Sequence, residues 1–442
     1  MSIIVEVHLG RRIAYARKKN KLTQTDFAKK IHVSSSHLGN IETGKYQASN
    51  EIILLMSQNM DVPISYFLNW DKVNEVTGEV IELLFQSILN NDLEEAKQLL
   101  KSLKHPIECI QQEITKNMLQ AVYYIKKGKI NKALEIEEEY LSVFLPISNI
   151  DEESPEFQLY YYYYLMQNSF IKEEYEKSYT FGQKMLDFWK SDTPEIVHLY
   201  INLSNISMQL ELYHESLNHI KGALDYLEVF KNDKLYFIAY IQLSAIYIAT
   251  KQYDKALTIV DKLNQLTNQD NSLEIKSIAF QHIGTIYLKH ELFQQAISYF
   301  EKSQKLGAHL PIETIHSMIT CYIKLGNYLK AKECLEVGEN YMTTECNYMI
   351  ILAQKAELFL LEGNEKMSWK IQRKTIQYFI KNKHFDHLSY IYKFLAKHYF
   401  KEKRYKESAT YFMELERLKD EEKQFKISNP NPVLTANFHI NT

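Results

Sequence analysis

The residue types with the clearest chemical use lie near the N-terminus. Between residues 8 and 47 stand nine lysines and arginines against two acids, a local net charge of +7 in a chain of 442 residues whose net charge is −3. Positive side chains at this density attract phosphate groups. The same stretch carries the short polar run Ser34-Ser35-Ser36-His37, followed by Asn40. Serine and asparagine side chains hydrogen bond to base edges, so the block predicts double-stranded DNA as a ligand.

Catalytic and metal-binding motifs are absent from the sequence. It contains no Walker loop, no dinucleotide-binding G-x-G-x-x-G and no H-E-x-x-H motif. The four cysteines are scattered without a C-x-x-C pair, and we interpret them as small buried residues. We therefore expect no enzyme, no metal and no cofactor.

The composition favours long helices. Glycine and proline together make 20 of 442 residues, which disfavours turn-rich β structure. The N-terminal stretch lacks the features of a signal peptide, and no window holds 18 uncharged apolar residues. The sequence thus predicts an all-α protein in the cytoplasm, with no membrane segment.

Two short helices must position the polar run. Thr23 can cap a helix that begins at Gln24, and Ser34 can cap a second one that Gly44 ends. Two capped helices around a tight turn form a helix-turn-helix, whose second helix enters the major groove. His32 in the turn would need a left-handed backbone, which histidine tolerates at a cost.

The remainder of the chain repeats one pattern, in which a large apolar residue is followed three positions later by a small one. These small residues, called anchors below, are Ala96, Ala133, Ser178, Ser216, Ala256, Ala296, Ala331 and Ser408, and a weaker copy of the pattern, placed by Gly363 five residues earlier, adds Ser368. They span 312 residues in eight steps, a mean of 39, which is the period of a helical hairpin. Small residues also prevail 12 positions before the anchors and aromatic residues nine positions before, as in tetratricopeptide repeats.

The predicted domains follow from these patterns. They are a helix-turn-helix domain over residues 1–68, a linker over 69–78, about nine tetratricopeptide-like repeats over 79–425 and a C-terminal tail over 426–442.

Hydrogen-bonding side chains recur on the first helices of the repeats, which should line a groove suited to an extended peptide. An uncharged amide offers one donor group and one acceptor, matching a peptide unit. The predicted peptide contacts are Gln167, Asn202, Asn205, Gln242, Gln281, His282 and His316. The alternative for any one of them is a merely solvated side chain. For the tyrosines of 160–164, a structural role in a repeat helix is favoured over stacking on a ligand.

The first domain resembles the lambda-repressor-like (XRE) DNA-binding family over residues 8–68. The resemblance lies in Leu9-Gly10-x-Arg12-Ile13, Arg17, Leu22-Thr23-Gln24-x-x-Phe27-Ala28, Val33-Ser34, Ile41-Glu42-x-Gly44 and Val62-Pro63-Ile64-Ser65-Tyr66-Phe67. It implies that Gln24 and residues 35–40 lie in the major groove, with Ser35, Ser36 and Asn40 facing the bases. The other predicted DNA contacts are Arg12, His37 and Lys45. It also implies a structural ion pair between Arg17 and Glu42.

The whole chain resembles the RRNPP family of peptide-pheromone regulators, and its repeat number resembles the long neutral-protease-regulator type. This resemblance implies a right-handed superhelical repeat solenoid, a short signalling peptide as ligand, a homodimer, and operator DNA binding that changes with the peptide. Two alternatives remain. In the first alternative, the chain is a repeat scaffold that sequesters a partner such as a sporulation phosphorelay protein. In the second, it is a prophage regulator of the same architecture with a different ligand. The sequence gives neither the peptide nor the operator, nor whether the ligand activates or represses.

Overall fold

The computed structural model describes residues 3–103, 106–145, 150–189, 194–269, 273–306, 311–340 and 344–428. All regular elements within these ranges are helices, as the composition predicts. The chain divides into two compact units, of which the first ends at Phe230 and the second begins at Lys231. Most of the predicted C-terminal tail lies outside the described residues.

Five short helices form an N-terminal bundle in the first unit. They are α1 (Ile3–Lys19), α2 (Gln24–Lys30), α3 (Ser35–Glu42), α4 (Asn50–Met60) and α5 (Ser65–Leu68). The predicted caps are confirmed, since the Thr23 and Ser34 hydroxyls accept hydrogen bonds from the backbone N–H groups of Asp26 and His37. His32 in the turn has the expected left-handed backbone, with φ +58°. Ile13, Phe27 and Leu38 form the centre of the bundle core.

Nine helical pairs follow within the described residues. In the first unit they are α6 (Glu75–Leu89) with α7 (Leu93–Ser102), α8 (Ile110–Lys126) with α9 (Ile130–Ile136) and its continuation α10 (Ser142–Phe144), α11 (Pro155–Ile171) with α12 (Tyr175–Phe188), and α13 (Ile196–Gln209) with α14 (Tyr213–Phe230). In the second unit they are α15 (Asp233–Ala249) with α16 (Tyr253–Gln269), α17 (Leu273–Lys289) with α18 (Phe293–Lys305), α19 (Ile312–Lys324) with α20 (Tyr328–Asn340), α21 (Glu345–Leu361) with α22 (Glu365–Lys381), and α23 (Phe385–Lys401) with α24 (Tyr405–Ser428).

Each anchor is buried in the second helix of its pair, with at most 3 % of its surface exposed. The residue 12 positions earlier is buried in the first helix in all nine pairs. A small side chain at both contact points lets two helices approach closely, which explains the spacing in the sequence.

The four serine anchors show how close this approach is. Each hydroxyl donates a hydrogen bond to the carbonyl 12 residues earlier, at 2.8 Å for Ser178, Ser216 and Ser408 and 2.6 Å for Ser368. Alanine at the other anchors has no polar side-chain atom to bury. Serine and alanine therefore both fit the contact without leaving a buried polar side-chain atom unpaired.

The turn inside each pair has a left-handed residue five positions before the anchor. Three of these nine residues are glycines, among them Gly363, and six are other residues, such as Asn91 and Lys251. A left-handed backbone costs an L-residue about 1–2 kcal/mol. In the six pairs without a glycine at this position, the packing of the helices on both sides of the turn offsets this cost.

The predicted linker over 69–78 is shorter and more fixed than expected. Helix α6 already begins at Glu75, capped by the Asn74 side chain. The backbone N–H of Ile110 donates to the carbonyl of Trp70 at 2.8 Å, and Gln112 exchanges hydrogen bonds with the Asn74 backbone at 2.8 and 3.1 Å. The segment between the domains is therefore attached to the start of α8.

The anchor packing predicts a graded response to substitution at Ser178. We expect Ser178→Ala to cost about 1 kcal/mol, the value of one hydrogen bond. Ser178→Leu should cost clearly more, because added methyl groups force the helices apart. Thermal melting followed by circular dichroism measures both. The control Ser142→Leu changes an exposed serine, and an equal effect of the two leucines would contradict the packing argument.

Candidate DNA-binding and peptide-binding sites

The first turn of α3 presents the polar side chains that the sequence selected. Ser36 is exposed, and Ser35 and Asn40 are partly exposed. None of these three side chains hydrogen bonds to another residue that the structure describes. Because Ser34 provides the cap, Ser35 and Ser36 are left available to an external partner.

Two further predicted DNA contacts lie near this turn. The Lys45 side chain is exposed just after α3. The His37 ring is half-buried and lies 5.9 Å from the Tyr46 ring, centroid to centroid. These positions suit phosphate contact, which orients a protein on DNA without reading its sequence.

The Arg17–Glu42 pair implied by the family resemblance is present. Arg17 donates from Nε to Oε1 of Glu42 at 2.6 Å and from Nη2 to Oε2 at 3.0 Å, and both side chains are under 10 % exposed. Gln24 joins the pair, because its Nε2 donates to Oε2 of Glu42 at 3.0 Å. Its other amide atom makes no hydrogen bond to the described residues. Gln24 thus braces α2 against α3 and retains one amide atom without a partner among the described residues.

Arg12 does not lie on the DNA-facing side, and the prediction that it contacts DNA is wrong for this arrangement. Its side chain is completely buried and forms an ion pair with Glu113 of α8 at 2.9 Å. It also donates to the carbonyl of Tyr66 at 2.8 Å and to the carbonyls of Ile107 and Glu108. The guanidinium carbon lies 3.6 Å from the centroid of the Tyr66 ring.

Aromatic packing extends this contact between the bundle and the repeats. The Tyr15 ring of α1 packs edge-on against the rings of Tyr140 and Phe144, with centroids 5.1 and 5.7 Å apart. Tyr140 and Phe144 are both buried. Within the first unit, the helix-turn-helix bundle is therefore docked on the repeats through Arg12 and Tyr15 of α1.

Sequence patterns do not mark Glu113 and Lys116, which stabilise or border this contact. Helix α8 is buried over most of its surface, and its polar residues from Gln112 to Asn117 are among the buried ones. Burial lowers the pKa of Lys116, against an opposing effect of the Glu113 charge. An acidic residue in a polar run normally predicts an exposed helix face, so no local signal marks Glu113 as a core residue.

Removal of the Glu113 carboxylate tests the docking contact. We expect Glu113→Ala to cost about 3–5 kcal/mol, because it leaves the Arg12 charge buried without a partner. The double variant Arg12→Met, Glu113→Leu should recover part of that loss, since no buried charge remains. Thermal melting of the full chain measures both. Glu94→Ala, which removes an exposed partner of Lys97, should leave the melting temperature nearly unchanged; a matching loss would argue against the docking role.

Three of the predicted peptide contacts lie in the first unit. Gln167 lies on α11, and Asn202 and Asn205 lie on α13. All three are half-buried, and their side chains make no hydrogen bonds to other described residues. Asn202 and Asn205 are three residues apart, so they share one face of the helix. Half-buried amides without partners are what a peptide backbone would satisfy.

The other four predicted peptide contacts lie in the second unit and differ among themselves. Gln242 on α15 is buried. Gln281 on α17 already donates to the hydroxyls of Ser277 and Ser303, at 3.2 and 3.1 Å, so its role is at least partly structural. Burial lowers the pKa of His282 and of His316 to about 4, so both rings are neutral at pH 7. Tyr162, Tyr163 and Tyr164 are buried, which supports a structural role for the tyrosine run.

Metal-binding clusters and membrane-spanning helices are both absent from the residues that the structure describes. These residues contain no group of three or more histidine, cysteine or acidic side chains placed to hold a metal ion. None of their helices has both the length and the apolar character needed to cross a bilayer.

Comparison with known proteins agrees with this arrangement of domains. The helix-turn-helix family model HTH_3 matches residues 13–67. The transcriptional activator NprA of Geobacillus stearothermophilus is 21 % identical over 403 residues, which cover 86 % of this chain and 96 % of NprA. This relative therefore matches most of the chain.

Solved structures share the repeat fold. The apo form of the quorum sensor NprR from B. thuringiensis superposes with a TM-score of 0.65 at 18 % identity, covering 78 % of this chain and 99 % of that one. NprR in complex with its cognate peptide NprX gives 0.54 at 18 % identity, with 78 % and 99 % coverage. A Rap protein complexed with competence and sporulation factor gives 0.60 at 13 % identity, with 78 % and 98 % coverage. The helix-turn-helix bundle thus matches the HTH_3 family model, and the chain is similar in sequence to NprA and in fold to the NprR and Rap structures.

Proposed function

We propose that this protein regulates transcription by reading operator DNA through α3 and by changing that binding when a short signalling peptide occupies its repeats. One observation carries the proposal. Polar side chains without internal partners occur on the first turn of α3 and again on the half-buried face of α13. Both sets are available to an external hydrogen-bonding partner, and they lie in domains suited to DNA and to peptides.

The DNA contact involves two kinds of group. Ser35, Ser36 and Asn40 reach base edges, and the lysines around them contact phosphates. The bundle docks on the repeats through Arg12 and Tyr15 of α1, and Ser36 in the first turn of α3 remains exposed. NprA is named a transcriptional activator, which supports a role in transcription.

Substitution of Asn40 separates base reading from phosphate binding. We expect Asn40→Ala to weaken binding to the preferred operator by about 1–3 kcal/mol, because an asparagine pairs with adenine through two hydrogen bonds. The operator is obtained by selection from random duplexes, and affinity is measured by fluorescence anisotropy at fixed salt. Lys45→Ala is the control and should weaken selected and random duplexes alike. Equal losses on both duplexes for Asn40→Ala would rule out base contact.

The peptide contact is supported by relatives of the same fold. NprR was solved with its cognate peptide NprX, and a Rap protein with competence and sporulation factor. In this chain we place backbone contacts of the peptide at Asn202 and Asn205, with Gln167 as a further donor or acceptor. The neutral amides bind peptide units without selecting for charge.

Loss of one asparagine should weaken the peptide response alone. We expect Asn202→Ala to cost about 1–3 kcal/mol of peptide affinity, because peptide amide groups are left unpaired. The peptide is identified by mass spectrometry of small peptides that copurify with the chain, and its affinity is measured by isothermal titration. DNA binding without peptide should be unchanged, since α3 is untouched.

The control is Asn218→Ala, which removes an exposed amide on α14 and should change neither affinity. Equal peptide affinity of Asn202→Ala and wild type would remove α13 from the site. It would favour the alternative in which the repeats sequester a partner protein, such as a phosphorelay component.

The remaining parts of the proposal concern assembly and location. We propose that the protein is a cytoplasmic regulator rather than an enzyme and acts as a homodimer. A dimer matches the two half-sites of a typical helix-turn-helix operator. Exposed apolar side chains on the last two helices, including Phe400, Tyr405 and Met413, are compatible with contact between copies.

A further inference from the structure

Polar side chains from three successive first helices converge in the second unit. The acid cluster, as we name it, consists of His316 and Thr320 on α19, Gln354 and Glu357 on α21, and Tyr390 on α23. Gln354 and Glu357 are buried, whereas His316, Thr320 and Tyr390 are half-buried. Gln354 and Glu357 thus form the buried part of the cluster, called the floor below, and the other three residues are more accessible.

Glu357 is a buried carboxylate without a cation partner. Its residue is 3 % exposed, and the described residues give it one hydrogen bond, from Tyr390 Oη to Oε2 at 2.8 Å. It forms no ion pair with them. Burial raises the pKa of Glu357 to about 7, while the Tyr390 hydrogen bond and the charge of the exposed Lys324 lower it. Buried carboxylates are normally paired with a cation, and within the described residues this one is not.

Gln354 adds an acceptor to the same floor. Its Nε2 donates to the carbonyl of His316 at 2.9 Å and to Oγ1 of Thr320 at 3.0 Å. Its Oε1 is buried and has no hydrogen-bond partner, and neither has Nδ1 of His316. Both helix α19 and helix α21 therefore contribute a buried polar atom that is unsatisfied within the described residues.

We propose that the acid cluster binds the cationic side chain of a lysine or arginine in a peptide ligand, with Glu357 as the counter-charge and the Gln354 oxygen as a second acceptor. This inference rests on the proposed function, because it assigns a charge preference to peptide binding by the repeats. It makes Glu357 a specificity-determining residue, in contrast to the neutral asparagines of α13, which contact any peptide backbone.

The donor and acceptor inventory favours a cation over other ligands. Tyr390 already uses its hydroxyl proton on Glu357, so the floor presents oxygen acceptors and a negative charge. An anion would be repelled by the ionised carboxylate. A divalent metal ion needs several oxygen ligands, and the described residues hold no group of three acidic, histidine or cysteine side chains. An ammonium or guanidinium needs only acceptors, which are the groups that lack partners here.

Selection from a random heptapeptide mixture tests the charge preference. The full chain is mixed with the peptides, bound peptides are separated by gel filtration, and their sequences are read by mass spectrometry. We expect wild type to enrich lysine- or arginine-containing peptides about tenfold more strongly than Glu357→Gln does, the ratio that corresponds to about 1.4 kcal/mol. Glutamine keeps the shape and still accepts the Tyr390 hydrogen bond, so the brace between α21 and α23 is preserved.

The pH dependence gives a second readout. At about pH 6 Glu357 is mostly protonated, and at about pH 8 it is mostly ionised, so wild type should enrich cationic peptides more at the higher pH. His316 and His387 face the cluster from α19 and α23, and burial holds the pKa of each at about 4, so neither titrates in this interval. Glu357→Gln should show no such difference. Glu362→Gln, which removes a partner of Lys332 near the end of α21, is the matched control and should behave as wild type.

Each outcome decides one part of the inference. Loss of the cationic preference in Glu357→Gln, with retention in Glu362→Gln, supports the subsite. Enrichment of peptides with no charge preference, or the same preference in Glu357→Gln, overturns the subsite and leaves peptide binding intact. Failure of wild type to enrich any peptide overturns the proposed peptide function together with the subsite.

Discussion

The Arg12–Glu113 ion pair is the contact on which the arrangement of the first unit depends. It joins two residues 101 positions apart, and both are almost completely buried. A buried charge that loses its partner is very costly, so the bundle cannot leave α8 without rehydrating both groups. The carbonyls of Tyr66, Ile107 and Glu108 share the same guanidinium. Helix-turn-helix and early repeats thus behave as one folding unit rather than as two domains on a flexible linker.

The repeats achieve their close packing with very few residue types. A serine or alanine anchor allows the second helix to contact the first. The serine hydroxyl donates a hydrogen bond to a carbonyl of the facing helix. No large side chain has to be matched to a cavity at that point. The aromatic residues can therefore differ between repeats, as they do between Tyr247, Tyr287 and Phe359, while the backbone geometry recurs.

Features that depend on nearby residues could be read from the sequence. The caps Thr23 and Ser34, the left-handed His32 and the nine anchors each follow from residues within one helical hairpin. Arg12 could not be placed, because its burial depends on Glu113, and an arginine within a basic block looks like a phosphate contact. Gln281 and Asn202 have similar positions in the repeat register. The Gln281 amide, however, already donates a hydrogen bond to the hydroxyl of Ser303 on the facing helix. Glu357 could not be identified from the sequence, because it is distinguished by burial without a cationic partner, and both properties depend on the packing of neighbouring helices.

The docked bundle also constrains the DNA that a pair of copies can read. With α3 held by the first repeats instead of by a flexible tether, neither reading helix of the proposed homodimer can swing independently to follow a displaced half-site. A half-site moved by a single base pair is turned by about a tenth of the duplex repeat, out of reach of a rigid partner. Helical phasing of the operator, more than the sequence of either half, would then determine which promoters respond.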